Sequence, residues 1–228
     1  MNSKFAWTVG AAAMALMAVS GGAQAQAQEA GKWQFKLLGT AVLPDGKITS
    51  VKKDTANVTP GAQSKANDNI TPTIAIEYFV TPNISVETIA GLTQHDVDGR
   101  GTLGGTELIA DAKILPATVT LKYHADLGVV KPYIGAGPSY FIFIDEKSGA
   151  TTKTLGLTKA RLNDKFGGVI QAGVDVPLGS QGFGLSLDAK RYFLRTSAHW
   201  FDANGVEQLT TRHKLDPWVL SAGISYRF

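Results

Sequence analysis

The fold class the sequence predicts is all-β, an eight-stranded antiparallel up-and-down transmembrane β-barrel, and three observations predict it. The last stretch, 218–228, alternates strictly, with Trp218, Leu220, Ala222, Ile224, Tyr226 and Phe228 on one face against Val219, Ser221, Gly223, Ser225 and Arg227 on the other. That is the period of a strand with one apolar face. At about 3.4 Å per residue and a tilt near 40°, Trp218 and Tyr226 stand roughly 21 Å apart along a membrane normal, at the two edges of an apolar band. The second observation is that further alternating segments follow one another with long and short connections in turn. The third is the start of the chain, where Lys4 precedes an apolar run over 5–19 and a small-residue site, Ala23-Gln24-Ala25 or Ala25-Gln26-Ala27.

This start reads as a secretory signal peptide, residues 1–25, with cleavage after Ala27 as the alternative, leaving 26–228 as one barrel domain. No later run approaches the ~20 apolar residues of a spanning helix, so the exported chain is either soluble in the periplasm or spans as a barrel. With no cysteine there is no disulfide framework, thiol chemistry or lipidated N-terminal Cys. The 22 basic and 19 acidic residues, net +3, are interspersed, which argues against a nucleic-acid partner. Basic exposed loops can meet the anionic lipopolysaccharide of an outer leaflet.

Taken in order, segment 32–43 sets Trp33, Phe35, Leu37, Gly39 and Ala41 against Gln34, Lys36, Leu38, Thr40 and Val42, and 44–69 is a long loop. Segment 70–80 opposes Ile74, Ile76 and Tyr78 to Thr73, Ala75, Glu77 and Phe79, and Thr81-Pro82-Asn83 is a tight turn. Segment 84–93 carries Glu87 and Ile89 on its inward face and leads into a glycine-rich loop over 94–114. Segment 115–124 points Thr118, Thr120, Lys122 and His124 inward. After a short connection, 132–144 points Tyr133, Gly135, Gly137, Ser139, Phe141 and Phe143 inward. A third long loop, 145–164, holds a short helix over 155–162. Segment 166–176 places Val169, Gln171 and Asp175 inside; segment 183–196 alternates until Arg191-Tyr192-Phe193, where a bulge or the membrane edge is expected. A last loop, 197–215, precedes the closing strand, whose terminal Phe228 suits recognition by the barrel assembly machinery.

Several spaced motifs resemble the OmpW family over nearly the whole exported chain. They are Trp33, Glu77-Tyr78-Phe79, Leu115-Pro116-Ala117-Thr118, Lys131-Pro132-Tyr133-Ile134-Gly135-Ala136-Gly137, Gln171-Ala172-Gly173-Val174-Asp175, and Asp216-Pro217-Trp218 through Tyr226-Arg227-Phe228. The resemblance implies an eight-stranded outer-membrane barrel that moves small hydrophobic compounds, with relatives tied to alkane uptake. Pro138 is a departure from the family pattern.

The facing of the lumen residues gives a separate reading of mechanism. Inward residues at the short-turn, periplasmic end are charged and of both signs: Lys36, Glu77, Glu87, Lys122, His124, Asp175 and Arg227, with Gln34 among them. They can pair across a barrel whose interior side chains just fill, and so form a periplasmic polar plug. Toward the outer side Leu38, Val42, Ile89, Phe141, Phe143 and Val169 make an apolar lumen pocket open outward. An apolar guest would have to break polar pairing to cross the plug. The alternative exit is sideways into the bilayer, where Pro138 lacks an N–H and Gly135 and Gly137 weaken one strand. Equally, the two glycines make room for large neighbours.

No cofactor, metal site or catalytic residue is implied. The GxGxxG match at 99–104 opens no helix pattern and reads as an exposed flexible loop, and His95, His124, His199 and His213 lack metal-ligand spacing. Two other classes stand beside transport. A structural or adhesive barrel would fill its lumen with charges along the whole height. A lipid-modifying enzyme would use a pair such as Ser197 and His199, for which no acidic orienter is identifiable.

Overall fold

Alternation of inward polar or small residues with outward apolar ones forms long strands, and every long strand finds a neighbour on both sides. The structure, a computed structural model, describes residues 32–55, 57 and 59–228; the signal-peptide expectation lies outside the described residues. In chain order the elements are β1 Trp33–Leu43, β2 Lys47–Asp54, β3 Ala62–Ala66, β4 Asn69–Phe79, β5 Ile84–Ala90, β6 Thr93–Gly101, β7 Glu107–His124, β8 Lys131–Ile144, β9 Lys147–Ser148, α1 Ala150–Thr154, β10 Lys159–Leu162, β11 Lys165–Pro177, β12 Phe183–Phe193, β13 Arg195–Phe201, β14 Glu207–Lys214 and β15 Trp218–Arg227.

The antiparallel order β7-β5-β4-β1-β15-β12-β11-β8, with β8 pairing back to β7, closes an eight-stranded barrel. β1 and β15 meet in register from Gln34↔Arg227 to Leu43↔Trp218. Trp33 and Phe228 exchange backbone hydrogen bonds of 3.1 and 2.9 Å, so the start of β1 and the end of the chain lie at the short-turn end. Leu37, Ile74, Leu121, Ile134, Ile170 and Ile224 face outward and exposed, as a lipid-facing band requires. Aromatic pairs flank the band, Trp33–Tyr78 and Phe183–Tyr226 (ring centroids 4.8 Å apart in each) at one edge and Tyr140–Phe166 (4.6 Å) at the other.

Of the four stretches expected to be long loops, 44–69, 94–114 and 197–215 are largely strand, and 145–164 holds two short strands and a helix. β2, β10, β13 and β14 make a second, four-stranded sheet in the order β10-β13-β14-β2, while β3, β6 and the first part of β7 prolong the barrel wall. Their outer faces meet water, so a Lys-, Thr- and Arg-rich composition there is compatible with pairing. Inward, Ala160, Ala198, Trp200 and Leu209 pack with Ile109, Ala112 and Leu157 into a core of their own.

Three smaller expectations are corrected. The helix is α1, not 155–162: Gly156, at φ +79°, ends it in the left-handed C-cap geometry, and β13 recruits 159–162 as β10. Of the two alternatives at Arg191-Tyr192-Phe193 the bulge is absent, because Tyr192 stays inward and the register of β12 on β11 runs unshifted to Gly168↔Phe193, while the pairing with β15 ends at Arg191↔Trp218, beside an exposed aromatic. The GxGxxG stretch is not wholly an exposed loop, since β6 runs to Gly101 and Gly99 is buried beneath the Leu103 carbonyl.

Candidate functional site

The barrel interior is layered. At the short-turn end the inward residues of β1, β4, β5, β7, β11 and β12 converge on one another. Glu77 Oε2 lies 3.0 Å from Lys36 Nζ and 2.9 Å from Lys122 Nζ, and its Oε1 lies 2.8 Å from His124 Nε2. Lys122 also reaches Glu87 at 2.9 Å, and Lys36 reaches Asp175 at 3.2 Å. All of these side chains are buried, so each charge depends on its partners in place of water. Arg227 stacks on Phe79, its guanidinium carbon 3.5 Å from the ring centroid. The seven residues expected to form a plug are therefore brought to one end of the barrel.

Further residues join this ionic network beyond the expected site residues, Lys190, Asp188, Gln171 and Tyr133 among them. Lys190 pairs with Asp188 at 2.6 Å and Glu87 at 3.3 Å. Gln171 donates to Glu87 and Asp188, Tyr133 Oη donates to Asp188 at 2.8 Å, and Lys122 sits 3.7 Å over the Tyr133 ring. The alternation of 183–190 already carried Asp188 and Lys190 on the inward phase, which was the signal available for them.

Above the ions comes a belt of hydroxyls. Thr40 and Ser221 hydrogen-bond at 2.9 Å, Thr118 and Ser139 at 2.7 Å, and Thr118 meets Tyr192 Oη at 3.4 Å. Higher still, Val42, Phe141, Phe143, Val169, Tyr192, Leu194 and Val219 form an apolar cluster, in which Phe141 and Tyr192 meet edge to face at 5.4 Å. A cavity of about 120 Å³ opens against it, lined by Val42, Ile89, Phe141 and Phe143 of the expected set and by Thr73, Thr93, Ile114, Leu194, Leu215 and others. Leu38 and Val169 are buried but do not line it. A smaller cavity of about 30 Å³, within the four-stranded extension, shares Val97, Ile109 and His213 with the larger one.

Two histidines edge the apolar cavity where the extension begins. His213 is hydrogen-bonded to Thr211 Oγ1 (2.7 Å) and Ser64 Oγ (3.3 Å), and burial pushes its imidazole down to about 4. Burial also lowers His95, against its bond to the Asn67 carbonyl and the charges of Asp68 and Asp96.

The wall beside the hydroxyl belt is uneven. Pairing of β7 with β8 runs from Lys113↔Ile144 to Thr118↔Ser139, lapses, and resumes at Leu121↔Ala136. Val119 and Thr120 thus stand opposite Pro138 and Gly137 without a ladder pairing on that side. A Cβ on Gly137 would fall 1.9 Å from the Val119 carbonyl oxygen, and one on Gly135 would fall 2.9 Å from the Lys122 stem. Gly137 therefore permits a close backbone approach, and Gly135 makes room for a plug lysine.

Remaining chemical candidates separate. His199 does have an acidic partner, Glu207 at 3.1 Å, contrary to the expectation of none. Its other ring nitrogen meets Asn163, however, and among the described residues no hydrogen bond joins it to Ser197. Among the described residues no group of three or more His, Asp or Glu side chains is arranged to hold a metal ion.

Known proteins bear out the architecture. The profile of the OmpW family matches residues 29–228. An uncharacterized outer-membrane protein, y4mB of Sinorhizobium fredii, is 33% identical over 200 residues, covering 86% of this chain and 80% of that protein. Dibenzothiophene metabolism operon protein DoxH of a Pseudomonas strain is 30% identical over 171 residues, 74% of this chain and 76% of its own. The crystal structure of the outer membrane protein OprG from Pseudomonas aeruginosa superposes with a TM-score of 0.76 at 26% identity, covering 87% of this chain and 96% of OprG. The chain belongs to the OmpW family and is an outer-membrane β-barrel of a Gram-negative bacterium.

Proposed function

We propose that this barrel takes up small hydrophobic molecules from the outer side into the apolar cavity and releases them sideways into the bilayer. The observation that carries the reading is the split polarity of the lumen. Buried ion pairs fill the periplasmic end, while Val42, Ile89, Phe141 and Phe143 line a cavity of about 120 Å³ above them. That is close to the size of an apolar cavity known to accept a benzene-sized guest. An apolar guest gains nothing from the ionic layer, whose pairing it would have to break. The lapse in pairing at Val119–Pro138 and Thr120–Gly137 lies beside the cavity floor and supports a lateral exit there. The fused apolar ring system in the name of the DoxH relative fits a guest of this class. The role is non-enzymatic, and the aromatic C-terminal strand is the segment offered to the barrel assembly machinery.

The test exploits two neighbours on opposite faces of β8. Phe141→Asp puts an unpartnered charge into the cavity wall, and uptake of a small aromatic hydrocarbon by cells carrying it is expected to fall while assembly is retained. Ile142→Asp faces outward and is expected instead to impair membrane insertion by roughly 2 kcal/mol or less. A Phe141→Asp barrel that folds and transports like the parent would show that the cavity is not on the route, leaving a structural or adhesive barrel.

A further inference from the structure

The outer face of the four-stranded sheet gathers four basic side chains, of which, among the described residues, only Lys214 has a carboxylate at ion-pair distance. In register across three strands, Arg195 of β13 stands opposite Lys214 of β14, which stands opposite Lys47 of β2. Arg212 follows two residues from Lys214 on the same face. Like charges directly opposite one another in a sheet repel. The nearby carboxylates are largely committed, Asp216 to Lys214 (2.9 Å), Asp45 to Arg191 (2.8 Å) and Glu207 to His199 (3.1 Å). Among the described residues no carboxylate forms an ion pair with Arg195, Arg212 or Lys47, all three of which are exposed. The wall across the barrel differs, because there Lys113 pairs with Asp145 at 2.9 Å and Lys147 with Asp111 at 3.2 Å.

The height of this row is informative. The Arg191 guanidinium lies 5.2 Å over the ring of Trp218, an outward-facing aromatic at the outer edge of the apolar band. Arg195 and Lys214 are each four residues further from the membrane along their strands, roughly 10 Å along the normal. That is where phosphates attached to the outer-leaflet lipid lie, with exposed Phe193 and Trp218 below to meet acyl chains. Guanidinium forks match phosphate oxygens in pairs. We propose that Lys47, Arg195, Arg212 and Lys214 form a binding site for the phosphorylated amino-sugar headgroup of lipopolysaccharide, seated on this one side of the barrel.

The experiment uses the full chain refolded in detergent, with lipopolysaccharide binding followed by native mass spectrometry. The triple variant Lys47→Gln/Arg195→Gln/Arg212→Gln is expected to bind about a hundredfold more weakly, at about fivefold for each basic residue near an anionic surface. Lys113→Gln/Lys147→Gln on the other wall is expected to bind like the parent. Independently of any variant, the parent is expected to lose the same affinity for lipopolysaccharide stripped of its phosphates, and to keep its lipid in millimolar inorganic phosphate. Unchanged binding by the triple variant, equal loss in the control pair, equal affinity for the dephosphorylated lipid, or displacement by inorganic phosphate would each overturn the proposal.

Discussion

At the Lys122 ammonium two carboxylates converge, Glu77 and Glu87, each at 2.9 Å, in a setting with almost no exposure. Removing that one charge leaves the two acids to share Lys36 and Lys190 at longer range, 3.0 to 3.4 Å. Breaking a buried pair from one side typically costs about 3–5 kcal/mol, chiefly from the charge left behind. Lys122→Met, which keeps the aliphatic stem beside Gly135 but removes the ammonium from over the Tyr133 ring, is therefore expected to lower stability by about 3 kcal/mol in urea titrations of the barrel in lipid vesicles. Adding Glu87→Gln is expected to restore part of it. Equal midpoints for Lys122→Met and the parent would mean that water, not the protein, solvates the plug. Which side chains face inward was legible in the sequence at this scale, because a period of two fixes facing. Which of them pair was not, since Lys190 and Asp188 reach Glu87 and Tyr133 only after the strands close into a ring.

The strands of the extension show the limit of periodicity. Thr196, Ala198 and Trp200 alternate with Arg195, Ser197 and His199 in β13 as regularly as any membrane strand. Without an apolar outer face, however, the alternation reads as a polar loop, and bulges in the pairings of β13 with β14 and β14 with β2 break its phase further. What the sequence does hold there is a buried histidine with a physical consequence. His213 titrates near 4 in the folded chain and near 6.5 when unfolded. Above pH 6.5 it is neutral in both states and the fold loses nothing. As pH falls from about 6.5 to 4 the unfolded chain binds the proton first, and on the order of 3 kcal/mol is withdrawn, with His95 acting in the same direction. Hydrogen exchange in 207–214 is accordingly expected to speed up at pH 5 relative to pH 7 beyond the intrinsic pH effect, and to do so less in His213→Leu. Equal protection at the two pH values after that correction would count against a buried neutral imidazole.

For the whole molecule, closure is the property that strand-by-strand reading could anticipate but not locate in detail. Eight alternating segments with short and long connections in turn implied a ring, yet the place where a barrel ladder is interrupted emerges only from the register of β7 on β8. There the ladder lapses between Thr118↔Ser139 and Leu121↔Ala136, at Pro138, which brings no N–H to it. If guests leave through this seam, fastening it should stop them without disturbing the cavity or the plug. The chain contains no cysteine, so a pair introduced at Val119 and Pro138 has no competing thiol. Opposed residues in an antiparallel pair place their Cβ atoms about 5 Å apart, close to what a disulfide spans after a small adjustment. In Val119→Cys/Pro138→Cys, uptake of the hydrocarbon is expected to be low when the pair is oxidised and to recover on reduction, with the same folded barrel in both states. A control pair at Tyr123 and Ile134, opposed where the ladder is intact, is expected to transport equally in both redox states. Comparing each variant with itself removes the effect of losing the proline. If the oxidised seam transports as well as the reduced one, the guest does not leave between β7 and β8, and the lapse serves only to let Gly137 approach the Val119 backbone.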